Sequence, residues 1–133
     1  MSERAFPVVY ARDVARTVRF YESLGFEEHF RLPEEEPGYV GLRRGSCEVS
    51  VVTVHSPREL IGLQVGEGPR FEMFVYVDDV DARVEALRRD GIQVLREPND
   101  MFWGERVAYV ADPDGNPVAL AKAAAAEPGS ASQ

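Results

Sequence analysis

The sequence predicts an α+β fold made of two tandem βαβββ modules that form concave mixed sheets. The main observation is an internal repeat. Residues 13–26 and 79–92 both open with Asp-Val, carry a second valine four residues after the first, and close with a glycine followed by an apolar residue. The offset between the copies is 66 residues without a gap, so the period is half the chain and indicates a duplicated module. Each copy also follows an alternating, β-branched stretch that is typical of a strand. Two open half-sheets form a concave surface, and concave surfaces hold small ligands.

The first module begins with a strand and a helix. The strand is predicted over Phe6–Ala11, with Pro7 near its start, where a missing N–H is tolerated. Asp13 is a favourable N-cap, and apolar residues follow it at helical spacing. Gly25 is predicted as the C-cap because glycine adopts the left-handed conformation at low cost. Three more strands are predicted over Glu27–Leu32, Tyr39–Arg43 and Cys47–Val54.

The second module repeats this order after a segment rich in glycine and proline. The predicted elements are a strand over Phe71–Val77, a helix over Asp79–Asp90, and strands near Gln93–Glu97, Arg106–Ala111 and Val118–Lys122. Residues 112–116, Asp-Pro-Asp-Gly-Asn, predict a turn between the last two strands. We therefore expect a single domain over residues 1–122, with module one at 5–54, a linker at 55–70 and module two at 71–122. A small, polar tail over 123–133 is predicted to be disordered.

Size and charge restrict the classes of function. With 133 residues, 44% of them hydrophobic, the chain has the length of one domain with a substantial core. Its net charge of −8 is unfavourable for nucleic acid, which needs clustered lysine and arginine. No apolar run approaches the length of a membrane span, so no membrane partner is expected. The single cysteine, Cys47, excludes an intramolecular disulfide and fits a cytoplasmic protein.

Several motifs resemble the vicinal-oxygen-chelate superfamily, which includes glyoxalases, extradiol dioxygenases and bleomycin-resistance proteins. In the first module they are Pro-Val-Val-Tyr-Ala-Arg-Asp-Val at 7–14 and Phe-Tyr-Glu-Ser-Leu-Gly-Phe at 20–26. In the second they are Trp-Gly-Glu-Arg at 103–106 and the turn at 112–116. The resemblance covers about residues 5–122 and is closest to the bleomycin-resistance-type branch that binds antibiotics. The resemblance is specific for the fold. It is not specific for the function, because this fold hosts many different chemistries.

The resemblance also indicates where a catalytic metal would be held. Its catalytic members bind a divalent metal through His, Glu or Gln, and the matching positions here are Phe6, Glu72, Ala119 and a position near Val49, beside Glu48. Phenylalanine and alanine have no donor atoms, and a catalytic metal usually needs three protein ligands. Neither histidine of the chain, His29 or His55, falls at a ligand position. We therefore expect no metal, no cofactor and no metal-dependent catalysis.

Aromatic side chains take the place of the metal ligands. In the drug-binding branch such side chains stack on flat antibiotics, and the resemblance places this role at Phe30, Tyr39, Phe74 and Trp103. Strand alternation places Phe6, Val8 and Tyr10 on one face of the first strand. In the same way it places Glu72, Phe74 and Tyr76 on one face of the first strand of module two, and Phe102 adjoins Trp103. The predicted ligand-binding residues are Phe6, Tyr10, Phe30, Tyr39, Glu72, Phe74, Tyr76, Phe102 and Trp103.

For some of these residues a structural role is an alternative. Phe6 and Tyr10 are equally compatible with core packing. Glu72, on an inward-facing strand position, is costly to bury unless it is paired. It is expected to meet Arg70 or Arg106, or else an amine or hydroxyl of the ligand.

The sequence favours a non-catalytic protein that binds and sequesters a natural-product antibiotic of the bleomycin, mitomycin or enediyne type. By the resemblance, such proteins form homodimers with clefts between the chains. The first alternative is a metal-free lyase, isomerase or cyclase in which Glu72 acts as general base. Less favoured alternatives are a metal-dependent glyoxalase or dioxygenase-type enzyme and a structural or regulatory binding module.

Overall fold

The computed structural model describes residues 4–33, 35 and 38–123, and divides the chain into two compact units, Met1–Gly68 and Pro69–Gln133. The first unit contains β1 (Val8–Ala11), α1 (Val14–Glu22), β2 (Glu27–Leu32), β3 (Tyr39–Arg44), β4 (Cys47–Thr53) and α2 (Ser56–Ile61). The second contains β5 (Met73–Tyr76), α3 (Val80–Arg89), β6 (Val94–Asp100), β7 (Glu105–Ala111) and β8 (Pro117–Ala123). The predicted βαβββ order is therefore present in both units.

Each unit has one four-stranded mixed sheet with the same topology. The strand order is β1-β4-β3-β2 in the first unit and β5-β8-β7-β6 in the second. In both, the first strand pairs in parallel with the fourth, and the other pairs are antiparallel. The predicted α+β class and mixed sheets are confirmed.

The first helix of the first unit, α1, covers one face of the sheet. Asp13 caps it as predicted, because its carboxylate accepts the backbone N–H of Arg16 at 3.1 Å. The predicted C-cap is wrong: the helix ends at Glu22 with Ser23 as C-cap, and Gly25 follows with a positive φ of 97°. α1 packs on β3 and β4 and buries Phe20 and Tyr21.

Burial alternates along β1, so its two faces have different roles. Val9 and Ala11 are buried, whereas Val8 is exposed and Phe6 and Tyr10 are half-buried. The alternative that Phe6 and Tyr10 form the core is therefore not supported within this unit, because their face of the strand is less buried than the face of Val9 and Ala11.

The second unit is built in the same way. Asp79 caps α3 by accepting the N–H of Ala82 at 3.0 Å, and Val84 and Leu87 are buried against the sheet. The predicted turn before β8 is present. Its buried Asp112 accepts the backbone N–H groups of Asp114 and Asn116 at 2.8 and 2.9 Å. These bonds satisfy donors that would otherwise be costly to bury.

Three features differ from the sequence prediction. The predicted linker at 55–70 contains α2, a short helix with Pro57 in its first turn and Gly62 as a left-handed C-cap. β6 extends to Asp100, although it contains Pro98 and two register shifts. Of the predicted tail, Ala123 ends β8, and 124–133 lie outside the described residues. Among the described helices, none is long and apolar enough to cross a membrane.

Candidate functional site

The first unit has an open cavity of about 700 Å³ on one face of its sheet, a size typical of small-molecule sites. Alternate residues of β4 line it, namely Glu48, Ser50 and Val52, whereas Val49 and Val51 point into the core on the other side. The rest of the described lining is Arg4, Phe6, His29, Phe30, Leu32, Gly38, Tyr39, Gly41, Thr53, Ser56, Glu59 and Leu60.

Three predicted binding residues, Phe6, Phe30 and Tyr39, meet in this cavity. The rings of Phe30 and Tyr39 pack edge to face with centroids 5.9 Å apart, which is a favourable arrangement for aromatic pairs. The Tyr39 hydroxyl and the Ser50 hydroxyl form a hydrogen bond of 2.8 Å, so the tyrosine ring is held in place. The fourth predicted residue of this unit, Tyr10, is half-buried and is not among the described residues of the lining.

Gly41 leaves the space that this arrangement needs. A Cβ atom added there would lie 3.2 Å from His29 Nε2 and 3.5 Å from the Cβ of Phe30. The backbone of β3 therefore passes close to both side chains, and a larger residue at position 41 would require the His29 ring to shift, whereas its contact with Phe30 would be an ordinary one.

The polar end of the cavity is formed by Arg4, His29 and Glu48. Arg4 donates from Nε to Glu48 Oε2 at 2.9 Å and from Nη2 to Oε1 at 2.6 Å, and His29 Nε2 lies 3.7 Å from Oε1. The hydrogen bonds from Arg4 hold the pKa of Glu48 below its ordinary value. The resemblance placed one metal-ligand position near Val49, beside Glu48. Of these two residues, Glu48 lies on the cavity side of the sheet and Val49 lies in the core.

On the face of the second sheet that carries Phe74 and Tyr109, the middle of β8 contributes two alanines. Ala119 and Ala121 of β8 are fully buried, together with Val107. Ala119 is in register with Phe74 on one side and with Tyr109 on the other. Because the alanine is small, the two rings meet over it, with centroids 6.4 Å apart.

A buried carboxylate joins two of the predicted residues in this unit. Glu105 accepts the Tyr76 hydroxyl at Oε2, at 2.6 Å, and the indole N–H of Trp103 at Oε1, at 2.8 Å. Only 8% of Glu105 is exposed. The hydrogen bond to this carboxylate raises the pKa of the Tyr76 phenol, since it stabilises the protonated form.

Sequence reasoning missed Glu105. The available signal was a glutamate two residues after Trp103, at the start of a strand in which Val107, Ala108 and Val110 are apolar. An isolated acid in an apolar strand indicates a partner on that face. Its partners, Tyr76 and Trp103, were both predicted as site residues.

The loop before β7 presents two adjacent aromatic rings. Phe102 is 95% exposed and Trp103 is 43% exposed, and their rings pack edge to face at 5.0 Å. The loop closes by a hydrogen bond from the N–H of Gly104 to the carbonyl of Met101, and Gly104 adopts a φ of 94°. A non-glycine residue would be strained at this position.

One of the partners expected for Glu72 is wrong. Arg106 instead bonds Asp81, at 2.7 and 3.0 Å, and Asp100, at 3.0 Å, and Glu72 itself is exposed. The physical reason is that Arg106 follows Glu105 by one position and points to the opposite face of β7. The Glu72 charge acts on Tyr109, whose pKa is raised first by burial and then by this charge.

The residues present do not fit the metal centre of the resembled catalytic proteins. Phe6 lines the cavity of the first unit, and Ala119 lies in a fully buried apolar cluster. Within the described ranges, no group of three or more His, Cys, Asp or Glu side chains is placed to hold a metal ion. Glu48 is engaged by Arg4.

The chain matches a known family over most of its length. The model described as "Glyoxalase/Bleomycin resistance protein/Dioxygenase superfamily" matches residues 5–120. A relative by sequence is the uncharacterized protein YraH of Bacillus subtilis (strain 168), with 27% identity over 117 residues, which cover 83% of this chain and 90% of YraH.

Solved structures with the same fold are also similar. The hypothetical protein SA1046 from S. aureus superposes with a TM-score of 0.78 at 21% identity, covering 92% of this chain and 94% of SA1046. A glyoxalase-related enzyme from Fulvimarina pelagi superposes with a TM-score of 0.76 at 25% identity, covering 92% of this chain and 88% of that protein. At these identities the likeness to SA1046 concerns the fold alone.

Proposed function

The chain belongs to the glyoxalase/bleomycin resistance protein/dioxygenase superfamily, and within it we propose that this protein binds and sequesters an aromatic natural-product antibiotic without chemical change. The supporting observation is that aromatic side chains occupy the open faces where catalytic relatives would carry metal ligands. Phe6, Phe30 and Tyr39 line the cavity of the first unit. In the second unit, Phe74, Tyr76 and Trp103 are exposed on the sheet face and its adjoining loop.

The proposed mechanism is binding alone. Flat rings of the ligand stack on aromatic side chains that are already held by the protein, such as Tyr39 through Ser50 and Trp103 through Glu105. Prior ordering of these side chains reduces the entropy lost on binding and so favours affinity. The antibiotics proposed are of the bleomycin, mitomycin or enediyne type, and the proposed place of action is the cytoplasm.

Catalysis is the less supported alternative. A metal-free lyase, isomerase or cyclase would use Glu72 as base, but this side chain is exposed and lacks the burial that tunes a carboxylate for proton transfer. A metal-dependent enzyme would need donors at positions 6 and 119, where the side chains are apolar. The superfamily contains enzymes, and one similar structure is described as a glyoxalase-related enzyme.

We expect one member of an antibiotic panel containing bleomycin and mitomycin C to stabilise the protein and to be recovered intact. A ligand that binds only the folded state raises the melting temperature by mass action, by an amount equivalent to about 2.7 kcal/mol at a hundredfold excess over Kd. The measurement is thermal denaturation with each compound, followed by mass spectrometry of the compound after incubation. Time-dependent conversion at catalytic protein concentration would show an enzyme and contradict sequestration.

We also propose that the functional form is a homodimer whose clefts take residues from both chains. Its support is the exposure of large apolar side chains on the sheet faces of each unit, including Val8 in the first and Phe74 and Tyr76 in the second. Light scattering at micromolar concentration should give about twice the chain mass of 14.8 kDa. A monomeric mass under these conditions would contradict the proposed cleft.

A further inference from the structure

The polar end of the first-unit cavity already holds a planar cation. The Arg4 guanidinium makes two hydrogen bonds to the Glu48 carboxylate, at 2.9 and 2.6 Å, and its central carbon lies 5.3 Å from the centre of the Phe6 ring. A carboxylate edge and an aromatic face are the two surfaces that recognise a flat cation. The cavity therefore has the chemistry of a site for an amidinium or guanidinium group.

The two partners of this ion pair are not equally fixed. Glu48 lies within β4, between β1 and β3, and only 15% of its side chain is exposed. Arg4 lies in an irregular segment before β1, and 57% of its side chain is exposed. An ion pair with such an exposed member contributes little net stability, because water screens it and a long side chain must be ordered. The carboxylate is thus the more buried member of the pair, and the arginine is the more exposed one.

The remaining lining matches an aromatic body attached to such a cation. Phe6, Phe30 and Tyr39 provide ring surfaces, and Leu32 and Leu60 provide apolar area. The volume of about 700 Å³ admits two or three fused or linked rings.

From these contacts we infer that the cavity takes a flat aromatic ligand bearing an amidine, guanidine or protonated amine, with Glu48 as its anchor and Arg4 as an internal occupant that the ligand displaces. The inference rests on the proposed binding function and names the ligand class for this cavity. Arg4 then has a regulatory effect: it lowers affinity for weak cations by competing for the same carboxylate.

The test uses the full chain and three fluorescent or absorbing probes of similar shape. They are 4′,6-diamidino-2-phenylindole as the cationic probe, 2-phenylindole as the neutral probe, and 8-anilinonaphthalene-1-sulfonate as the anionic probe. The variants are Glu48→Gln and Arg4→Gln. The matched control is Glu97→Gln, which removes a carboxylate from another arginine pair, with Arg88 at 2.7 Å, in the second unit.

For the diamidine we expect Glu48→Gln to weaken binding about tenfold or more and Arg4→Gln to tighten it about threefold or more. The Glu97→Gln variant should bind like the unchanged protein. Arg4 lies outside the helices and strands, so its variant remains informative if Glu48→Gln impairs folding.

Several results would overturn the inference. Diamidine binding that is unchanged in Glu48→Gln would show that Glu48 is not the anchor, and diamidine binding that is weakened in Arg4→Gln would show that the ligand does not displace Arg4. Preference for the anionic probe, lost in Arg4→Gln, would assign the site to anions instead. Binding of the neutral probe alone would support an aromatic cavity and contradict the cationic ligand class, and failure of all three probes would contradict the ligand class as well, whereas the binding function is decided separately by the antibiotic panel.

Discussion

Replacing Trp103 with alanine should weaken binding of a confirmed aromatic ligand about tenfold or more while the protein remains folded. The ring lies in the loop between β6 and β7, is 43% exposed and packs edge to face with Phe102. Stacking on a flat ligand contributes roughly 0.5–1.5 kcal/mol beyond the area buried, and the lost contact area adds more. The loss of the indole N–H leaves Glu105 with Tyr76 as its remaining side-chain donor, which should cost about 1 kcal/mol of stability.

The chain has one tryptophan, so its fluorescence reports on this position alone. Titration with the ligand should quench it, and calorimetry should give the affinity of each variant. Trp103→Phe keeps an aromatic ring and removes the N–H that Glu105 accepts, and it should therefore retain more affinity than Trp103→Ala. Glu105→Gln is the complementary variant, because it keeps the Trp103 ring and disturbs the carboxylate that holds both Trp103 and Tyr76. If ligand binding leaves the fluorescence unchanged, or if Trp103→Ala unfolds with unaltered affinity per folded molecule, Trp103 is a structural residue.

The repeat was sufficient to predict the fold because it fixes the order of elements twice. Asp13 caps α1 as expected, Asp79 at the matching position of the repeat caps α3, and β2 has the predicted bounds of Glu27–Leu32. Local sequence signals did not predict α2, because proline and glycine occur both in linkers and at helix ends. Pro57 begins a helix and Gly62 ends one, although both residues are also typical of linkers.

The site was predictable in its aromatic residues and not in the polar contacts that hold them. Phe30 and Tyr39 follow from the resemblance and do meet in one cavity. Glu105 joins Tyr76 to Trp103 across β8, and its bond to Tyr76 depends on strand order, which a linear sequence does not display. Arg4 approaches Glu48 from 44 positions away for the same reason. The expected Arg106–Glu72 pair does not form because Arg106 follows Glu105 directly on β7, and adjacent strand residues point to opposite faces of the sheet.

The second large effect is expected from Ala119→Glu, which introduces the acid that the resemblance places at the final metal-ligand position. Ala119 is fully buried in a cluster with Val107 and Ala121, against which Met101 and Tyr109 pack. The larger side chain overfills this cluster, whose members are uncharged, and the exposed Arg96, which is in register with Tyr109, offsets only part of the cost of burying the carboxylate. Overpacking costs about 1–3 kcal/mol, and burial of an unpaired acid adds several more. Denaturant unfolding should therefore show a loss of about 3–6 kcal/mol at pH 7, a large part of the stability of an ordinary domain.

The pH dependence and a matched variant separate the causes of this loss. Burial raises the pKa of the introduced acid in the folded state above its unfolded value. Its penalty is therefore small below the unfolded pKa and grows as the pH rises through the folded pKa. Ala119→Gln has nearly the same volume without the charge, so it should be destabilised by an amount that does not change between pH 4 and pH 8. Adding Zn²⁺ or Mn²⁺ should not restore Ala119→Glu, because position 6 still carries a phenylalanine and Glu48 is engaged by Arg4, which leaves Glu72 and the introduced acid as the free donors at the resembled positions. Recovery of the melting temperature by one equivalent of metal would instead show that a single substitution separates this chain from a metal site.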